Sequence, residues 1–353
     1  MRSPAAFPWR DSIPQEEILR RLTPDGPRLL FAACWVYFTA LFAWLATFLA
    51  TGQRLWLLEL LDGASLWLFL PLPFALLIGA VYRRGKIVLA GTLAALFALS
   101  FWGWLFIPRT SPAHARGETL TVMTYNLLGP QEHNAAVLHV LRAEQPDVVL
   151  FQELNPQVAG AIEAELTADY PYQVLRPERG VRGMGVISRY PLRDTGESLD
   201  GSWVGAPQVL DLDWDGQEVR VLNFHLLIPP LLPHSAGRRE AAAKVLTANA
   251  AEAMPRGAVI AAGDTNVTHL SDTYRTFAGV LEDSWGEAGY GFGHTWGGSI
   301  FTEWLRLPFP VWIVRIDYVF HSRDLHAVSA HTARFDNSSD HRGVVVTLAR
   351  NPD

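Results

Sequence analysis

Several apolar runs in this sequence stop at a residue able to ligate a cation, move a proton or hydrogen-bond an anion. The run from Thr119 ends at Asn126, and that from Asp147 ends at Glu153. The run from Glu218 ends at His225, and that from Ala258 leads into Asp264 and Asn266. Polar groups at strand ends can converge on one rim of a sheet without burying charge in the core, and α/β folds commonly hold ligands at that rim. Asp317 differs, being an acid inside an apolar stretch. An acid buried there needs a partner. A histidine is the expected one, with Arg315 and Arg334 as alternatives.

The elements that must position these groups read as short strands with a few helices between them. Strands are expected over Thr119–Tyr125, Asp147–Gln152, Gly183–Ser188, Gln208–Asp213, Glu218–Phe224, Ala258–Ala262, Val314–Phe320 and Val344–Leu348. Asp215-Gly216 is a hairpin-turn signal between two of them. Helices are expected over Asn134–Glu144, with Val137, Leu138 and Leu141 on one face, after Pro156, and over Ala236–Ala253. Strands of mixed direction with interspersed helices imply an α/β sandwich.

The first third of the chain is of another kind. The 353 residues are 49% hydrophobic and 18% charged, but the apolar residues are concentrated before residue 110. Leu29–Ala50 and Ile87–Ile107 carry no charge, and Gly63–Tyr82 is interrupted by Pro71 and Pro73. Each run is about the length of an α-helix that crosses a bilayer. Three in succession leave no polar face, so transmembrane helices are expected. Arg10, Arg20, Arg21 and Arg28 precede the first run, and Arg83, Arg84 and Lys86 separate the second from the third. The excess of positive charge on cytoplasmic loops puts the N-terminus and the second loop inside. Residue 108 onward is then extracytoplasmic. The single cysteine, Cys34, excludes a disulfide framework and a Cys-based zinc site.

In chain order the chemical motifs are Tyr125-Asn126, Gln145-Pro146-Asp147 to Gln152-Glu153-Leu154, Asn223-Phe224-His225-Leu226, Gly263-Asp264-Thr265-Asn266, Arg315-Ile316-Asp317-Tyr318 and Ser339-Asp340-His341. This set resembles the endonuclease/exonuclease/phosphatase superfamily, which includes deoxyribonuclease I-like nucleases, inositol-phosphate 5-phosphatases and neutral sphingomyelinases. The resemblance covers about residues 118–349. It implies a four-layer α/β/β/α sandwich and a metal-dependent phosphoester hydrolase using Mg²⁺ or Mn²⁺, hard cations that want oxygen ligands.

By the same resemblance Glu153 is the principal metal ligand with Asn126 beside it, and Asp340 contacts the metal or the site histidines. His341, held by Asp317, activates the water or stabilises the charged transition state. Asp264 is the other candidate base. Asn266 donates to the phosphate, and His225 steadies a non-bridging oxygen or the leaving group. The family usually places an aromatic residue between Asp264 and Asn266, where this chain has Thr265. The expected organisation is a cytoplasmic segment 1–28, three transmembrane helices 29–107, a linker 108–117 and a catalytic domain 118–350. The protein is expected in a bacterial inner (plasma) membrane, with the catalytic domain outside the cytoplasm.

After Arg109 the chain carries 19 Lys and Arg against 29 Asp and Glu, a balance of −10. That weakens a nucleic-acid substrate, whose phosphates favour basic surfaces, and leaves a lipid headgroup or small phosphoester preferred. The apolar stretches 226–233 and 304–312 are either a rim facing the bilayer or ordinary loop packing. Arg238 and Arg239 either meet a substrate phosphate or form the solvated face of a helix.

Overall fold

The computed structural model describes residues 26–109 except 54, and 118–351 except 132, 229–234, 299–305, 307–310 and 335–338. Most of the linker, most of the 1–28 segment and most of both apolar stretches lie outside the described residues.

Two compact units are present. The first holds residues 26–46 and 68–97 of those described, and is helical. Helix α1 (Gly26–Thr51) begins there, and it also contains α3 (Leu72–Val81) and most of α4 (Gly85–Trp102). The α1 span and Gly85–Phe106 are long and apolar enough to cross a membrane, whereas Ser65–Val81 is shorter. The expected middle helix is shortened because Pro71 and Pro73, which lack an amide hydrogen, fit only at a helix start. Large apolar side chains such as Val36, Phe74, Leu77, Leu89 and Leu96 are exposed.

The second unit holds residues 47–67 and 98–351 of those described. It contains α2 (Trp56–Asp62) and a sandwich of two six-stranded sheets. The first sheet comprises β1 (Thr119–Asn126), β2 (Val148–Gln152), β3 (Tyr172–Arg176), β4 (Met184–Ser188), β11 (Leu325–Thr332) and β12 (Val344–Arg350), in the order β11-β12-β1-β2-β4-β3. The second comprises β5 (Leu192–Asp194), β6 (Trp203–Trp214), β7 (Gln217–Leu226), β8 (Ala258–Asp264), β9 (Glu282–Asp283) and β10 (Asp317–His321), in the order β5-β6-β7-β8-β10-β9.

Side chains alternate across each strand, and that alternation makes four layers. Met123, Tyr125, Val149 and Phe151 pack outward against α5 (Asn134–Glu144) and α6 (Pro156–Leu166). Leu222, Phe224, Val259, Ala261, Tyr318 and Phe320 pack outward against α7 (Ser235–Ala253) and α8 (Asp272–Ala278). The alternate residues face the opposite sheet. There a buried amide network ties the two sheets together. Gln152 Nε2 donates to Asn223 Oδ1 at 2.8 Å, and Asn223 Nδ2 donates to Phe151 O, Gly185 O and Gln208 Oε1 at 3.0, 3.1 and 2.9 Å. Satisfying these buried polar groups between the sheets fixes how the sheets register.

One expected strand is shorter than the pattern implied. Val314–Phe320 is regular only from Asp317 onward, so Asp317 opens β10 instead of lying inside a strand. Thr295 Oγ1 accepts the amide hydrogens of Ile316 and Asp317, at 3.1 and 3.3 Å, and Val314 bridges separately to Trp296.

Candidate active site

Each sheet contains one parallel pair that ends at the same rim. β1 runs parallel to β2, with Asn126 opposite Gln152. β7 runs parallel to β8, with His225 opposite Asp264. β10 runs antiparallel to β8 and starts where β8 finishes, with Asp317 opposite Asp264. The period of two puts Asn126, His225, Asp264 and Asp317 on the faces between the sheets. Glu153 would point outward if β2 continued. Its left-handed backbone, φ 56°, turns the chain and brings its carboxylate to Asn126.

Asn126 Nδ2 donates to Glu153 Oε1 at 3.2 Å and to Asp264 Oδ2 at 3.0 Å. The Gly129 amide donates to Glu153 Oε2 at 3.0 Å. His341 Nδ1 lies 2.9 Å from Asp317 Oδ2, and its Nε2 lies 3.9 Å from Asp264 Oδ2. The structure thus selects His341 as the partner of Asp317. Arg315, one of the alternatives, is paired with Asp283 at 3.1 Å. His225 Nε2 is 3.4 Å from Asp264 Oδ2 without hydrogen-bond geometry. Asn266, also left-handed at φ 55°, donates its amide to Asp264 Oδ1 at 2.8 Å and its side chain to Leu226 O at 2.9 Å. Asp340 Oδ2 accepts from Trp296 Nε1 at 3.0 Å.

All eight residues assigned by resemblance to catalysis or metal binding lie around this rim. The two arginines lie apart from it. Arg238 is exposed on α7. Arg239 is buried, ion-paired with Glu59 and donating to Leu227 O at 3.1 Å.

The electrostatics follow from burial. Burial lifts Glu153 above the usual carboxylate range, although the Gly129 and Asn126 hydrogen bonds oppose it. Burial, reinforced by the Asp317 charge, lifts Asp264 well above that range. Burial, with His341 nearby, holds His225 at about 3, so its ring is neutral. Burial alone would lower His341 too, but Asp317, with Asp264 and Asp340 behind it, reverses this and makes the ring an imidazolium at neutral pH.

Three further contributors were given no role by the sequence: Ser339, which stands inside the Ser339-Asp340-His341 motif, and Thr295 and Trp296, which lie in no motif. Ser339 Oγ donates to Asn126 O at 2.8 Å and accepts from the His341 amide at 3.0 Å, linking the metal-ligand candidate to the histidine loop. Trp296 holds Asp340, and Thr295 holds the start of β10.

The residues fit a divalent cation. Glu153, Asp264, Asp317 and Asp340 are all buried, and among the described residues none pairs with Lys or Arg. Among the described residues Asp317 Oδ1 and Asp340 Oδ1 have no hydrogen-bond partner. One imidazolium leaves this group with excess negative charge that a hard cation would offset. Asp264, Asp317 and His341 each offer a ligand atom within 4.8 Å of the others. His341 as an imidazolium has no free lone pair there, so the oxygen donors are the better set.

The sequence model of the Endonuclease/Exonuclease/phosphatase family matches residues 123–341, more than half of the chain. Among solved structures, D. rerio TDP2 complexed with single strand DNA product is 20% identical, with TM-score 0.53, and the match covers 65% of this chain and 99% of that one. An endonuclease/exonuclease/phosphatase from Beutenbergia cavernae DSM 12333 is 22% identical, with TM-score 0.51 and coverages of 66% and 72%. One from Bacteroides vulgatus is 15% identical, with TM-score 0.52 and coverages of 66% and 100%. At these identities the likeness is one of fold. No curated protein matches the chain.

Proposed function

This chain belongs to the endonuclease/exonuclease/phosphatase family, a family of phosphoester hydrolases, and on that premise we propose that it is anchored in a membrane and hydrolyses a lipid headgroup or small phosphoester outside the cytoplasm. The observation that carries the hydrolytic part is the group of four buried carboxylates around one imidazolium. Glu153 and the Asn126 side-chain oxygen, with Asp340 next to them, would hold Mg²⁺ or Mn²⁺. The bound cation would neutralise phosphate charge and polarise the bond that breaks.

The protein's own residues supply the rest. Asp264, once deprotonated, takes a proton from the water that attacks in line with the leaving oxygen. Its elevated pKa suits that task, and the charged state of His341 favours Asp264 over His341 as the base. His341, held by Asp317, meets the charge building on the phosphoryl oxygens. Among the described residues neutral His225 has no hydrogen-bond partner at either ring nitrogen, and it is available to hydrogen-bond a phosphate oxygen or the leaving group. Among the described residues Asn266 Nδ2 meets the one acceptor Leu226 O, which leaves its second amide hydrogen for the same purpose.

Anchoring is supported by two long apolar helices whose large side chains are exposed, a surface suited to lipid. Orientation is supported by exposed Arg83 and Arg84 between α3 and α4 and exposed Lys86 at the start of α4. It is also supported by residues 47–67, which comprise the last turn of the first helix and the segment after it and belong to the same compact unit as the sandwich. A loop and a domain packed as one unit share a side of the membrane. The acidic balance of the catalytic domain disfavours nucleic acid.

The test is purified full-length protein in detergent, assayed against phospholipids, nucleotides, bis(4-nitrophenyl) phosphate and DNA with Mg²⁺, Mn²⁺ or EDTA. Turnover in EDTA would sink the mechanism. DNA cleavage far faster than release from lipids and small esters would replace the proposed substrate class with a nuclease activity.

A further inference from the structure

Residues 47–67, which belong to the same compact unit as the sandwich, are tied to it by three contacts among the described residues. The Gln53 amide donates to Asp272 Oδ2 at 3.2 Å. Trp67 Nε1 donates to Ile313 O at 2.9 Å. Between them, in α2, Glu59 forms an ion pair with Arg239, and the two side chains are 6% and 1% exposed. A carboxylate and a guanidinium this deeply buried depend on each other, because either one left alone would be an uncompensated charge out of water.

Arg239 also reaches toward the active site. Its Nη1 donates to Leu227 O, the first carbonyl after β7. The preceding carbonyl, Leu226 O, accepts from Asn266 Nδ2, and the Asn266 amide in turn holds Asp264 Oδ1. His225 is the residue just before Leu226. The exit from β7 is therefore gripped from two sides, by Arg239 and by Asn266, and it carries His225 into the site. The metal-ligand candidates Asn126 and Glu153 come from the other sheet, and Asn126 meets this chain of contacts at its far end, where its side chain donates to Asp264 Oδ2.

We infer that Glu59, from the segment linking the membrane helices, is a positioning residue of the active site, acting through Arg239 to hold the turn that places His225 and Asn266. The inference rests on the phosphoester-hydrolase reading for its kinetic consequence. It makes the membrane-proximal segment part of the enzyme, so the catalytic unit begins before the sandwich does. Loosening that turn displaces the groups that meet the phosphate and leaves the cation ligands where they are.

The experiment uses the full chain in detergent with bis(4-nitrophenyl) phosphate and Mn²⁺. Glu59→Gln is expected to lower kcat by roughly 10–100-fold, the scale of an ångström-level misplacement. The Mn²⁺ concentration for half-maximal activity should not change. Glu59→Asp should recover part of the loss. The charge-reversed double variant, Glu59→Arg with Arg239→Glu, should be more active than either single reversal. Amide hydrogen exchange should quicken in peptides covering 217–228 and hold steady in those covering β1 and β2. Wild-type kcat with unchanged exchange in Glu59→Gln would overturn the inference. So would exchange that quickens evenly through the domain, which would mark a general loss of stability. If the wild-type protein hydrolyses none of its test esters, the hydrolase reading fails instead. The exchange pattern alone then decides whether Glu59 holds the turn.

Discussion

Asn126 Nδ2 donates to Asp264 Oδ2 at 3.0 Å, and this bond crosses from one sheet of the sandwich to the other. The same amide nitrogen donates to Glu153. One carboxamide therefore joins the metal-ligand candidate of the first sheet to the proposed base of the second.

Removing that bridge should weaken the cation more than the substrate. Asn126→Ala is expected to raise the Mg²⁺ concentration for half-maximal activity by roughly 10–100-fold. Glu153→Gln should do so more severely. Calorimetric titration of Mg²⁺ into each purified variant checks the result without relying on turnover. Unchanged metal affinity in both variants would exclude these residues as ligands.

Asp317→Asn removes the charge that keeps His341 protonated. The expected loss in kcat is about 10²–10⁴-fold, the range for a misplaced acid–base group. In the wild type the raised His341 pKa keeps the imidazolium well into alkaline pH, so the basic limb of the rate profile should lie above an ordinary histidine's. In the variant that limb should move down toward neutrality. A basic limb that does not move would mean that His341 is not the titrating group.

The acid limb should report Asp264. Burial and the Asp317 charge raise its pKa, so activity should fall at a higher pH than an ordinary aspartate would dictate. A cation favours the carboxylate form, so increasing Mn²⁺ should shift this limb to lower pH. Rate profiles at two Mn²⁺ concentrations test it. Superimposable limbs would argue against Asp264 as the base.

Stability should fall on the acid side of neutrality. Burial holds both His269 and His294 at about 4 in the folded protein, against 6.5 as the ordinary value. Between these values the unfolded chain binds more protons than the folded one. The stability is fully present above the ordinary value and is lost as pH falls toward the folded one, at up to about 1.4 kcal/mol per pH unit for each ring. Thermal melts from pH 7 to pH 5 should show this decline, and His269→Gln should flatten it. An equal slope in the variant would remove His269 from the account.

Thr295→Val keeps the shape and removes the acceptor shared by the Ile316 and Asp317 amides. Leaving these buried donors unpaired should cost about 1–3 kcal/mol. A lowered melting temperature together with a lowered kcat is expected. Unchanged kcat would show that Asp317 is held adequately by its β8 pairing.

The strand-end pattern was legible because alternation and termination are local properties. Asn126, Glu153, His225 and Asp264 each close an apolar run, and the structure sets them at one rim. The extent of β10 was less legible. Val314–Ile316 has strand composition, but their pairing is set by Thr295 and Trp296 about twenty residues upstream. Arg239 reads as a solvated or phosphate-binding residue on a helix, because its partner Glu59 lies in a segment that composition assigns to the membrane region.

By itself the sequence determined the family, the order of the chemical groups and the concentration of apolar residues before residue 110 against an acidic balance after it. These are properties of residue type and short-range spacing. The tertiary structure decided which groups meet. It chose His341 over Arg315 for Asp317 because Arg315 is taken by Asp283. It turned Glu153 toward Asn126 through a left-handed backbone, and it joined Glu59 to Arg239. Such pairings depend on how two sheets and a distant loop pack, and periodicity along one segment carries no information about its partner.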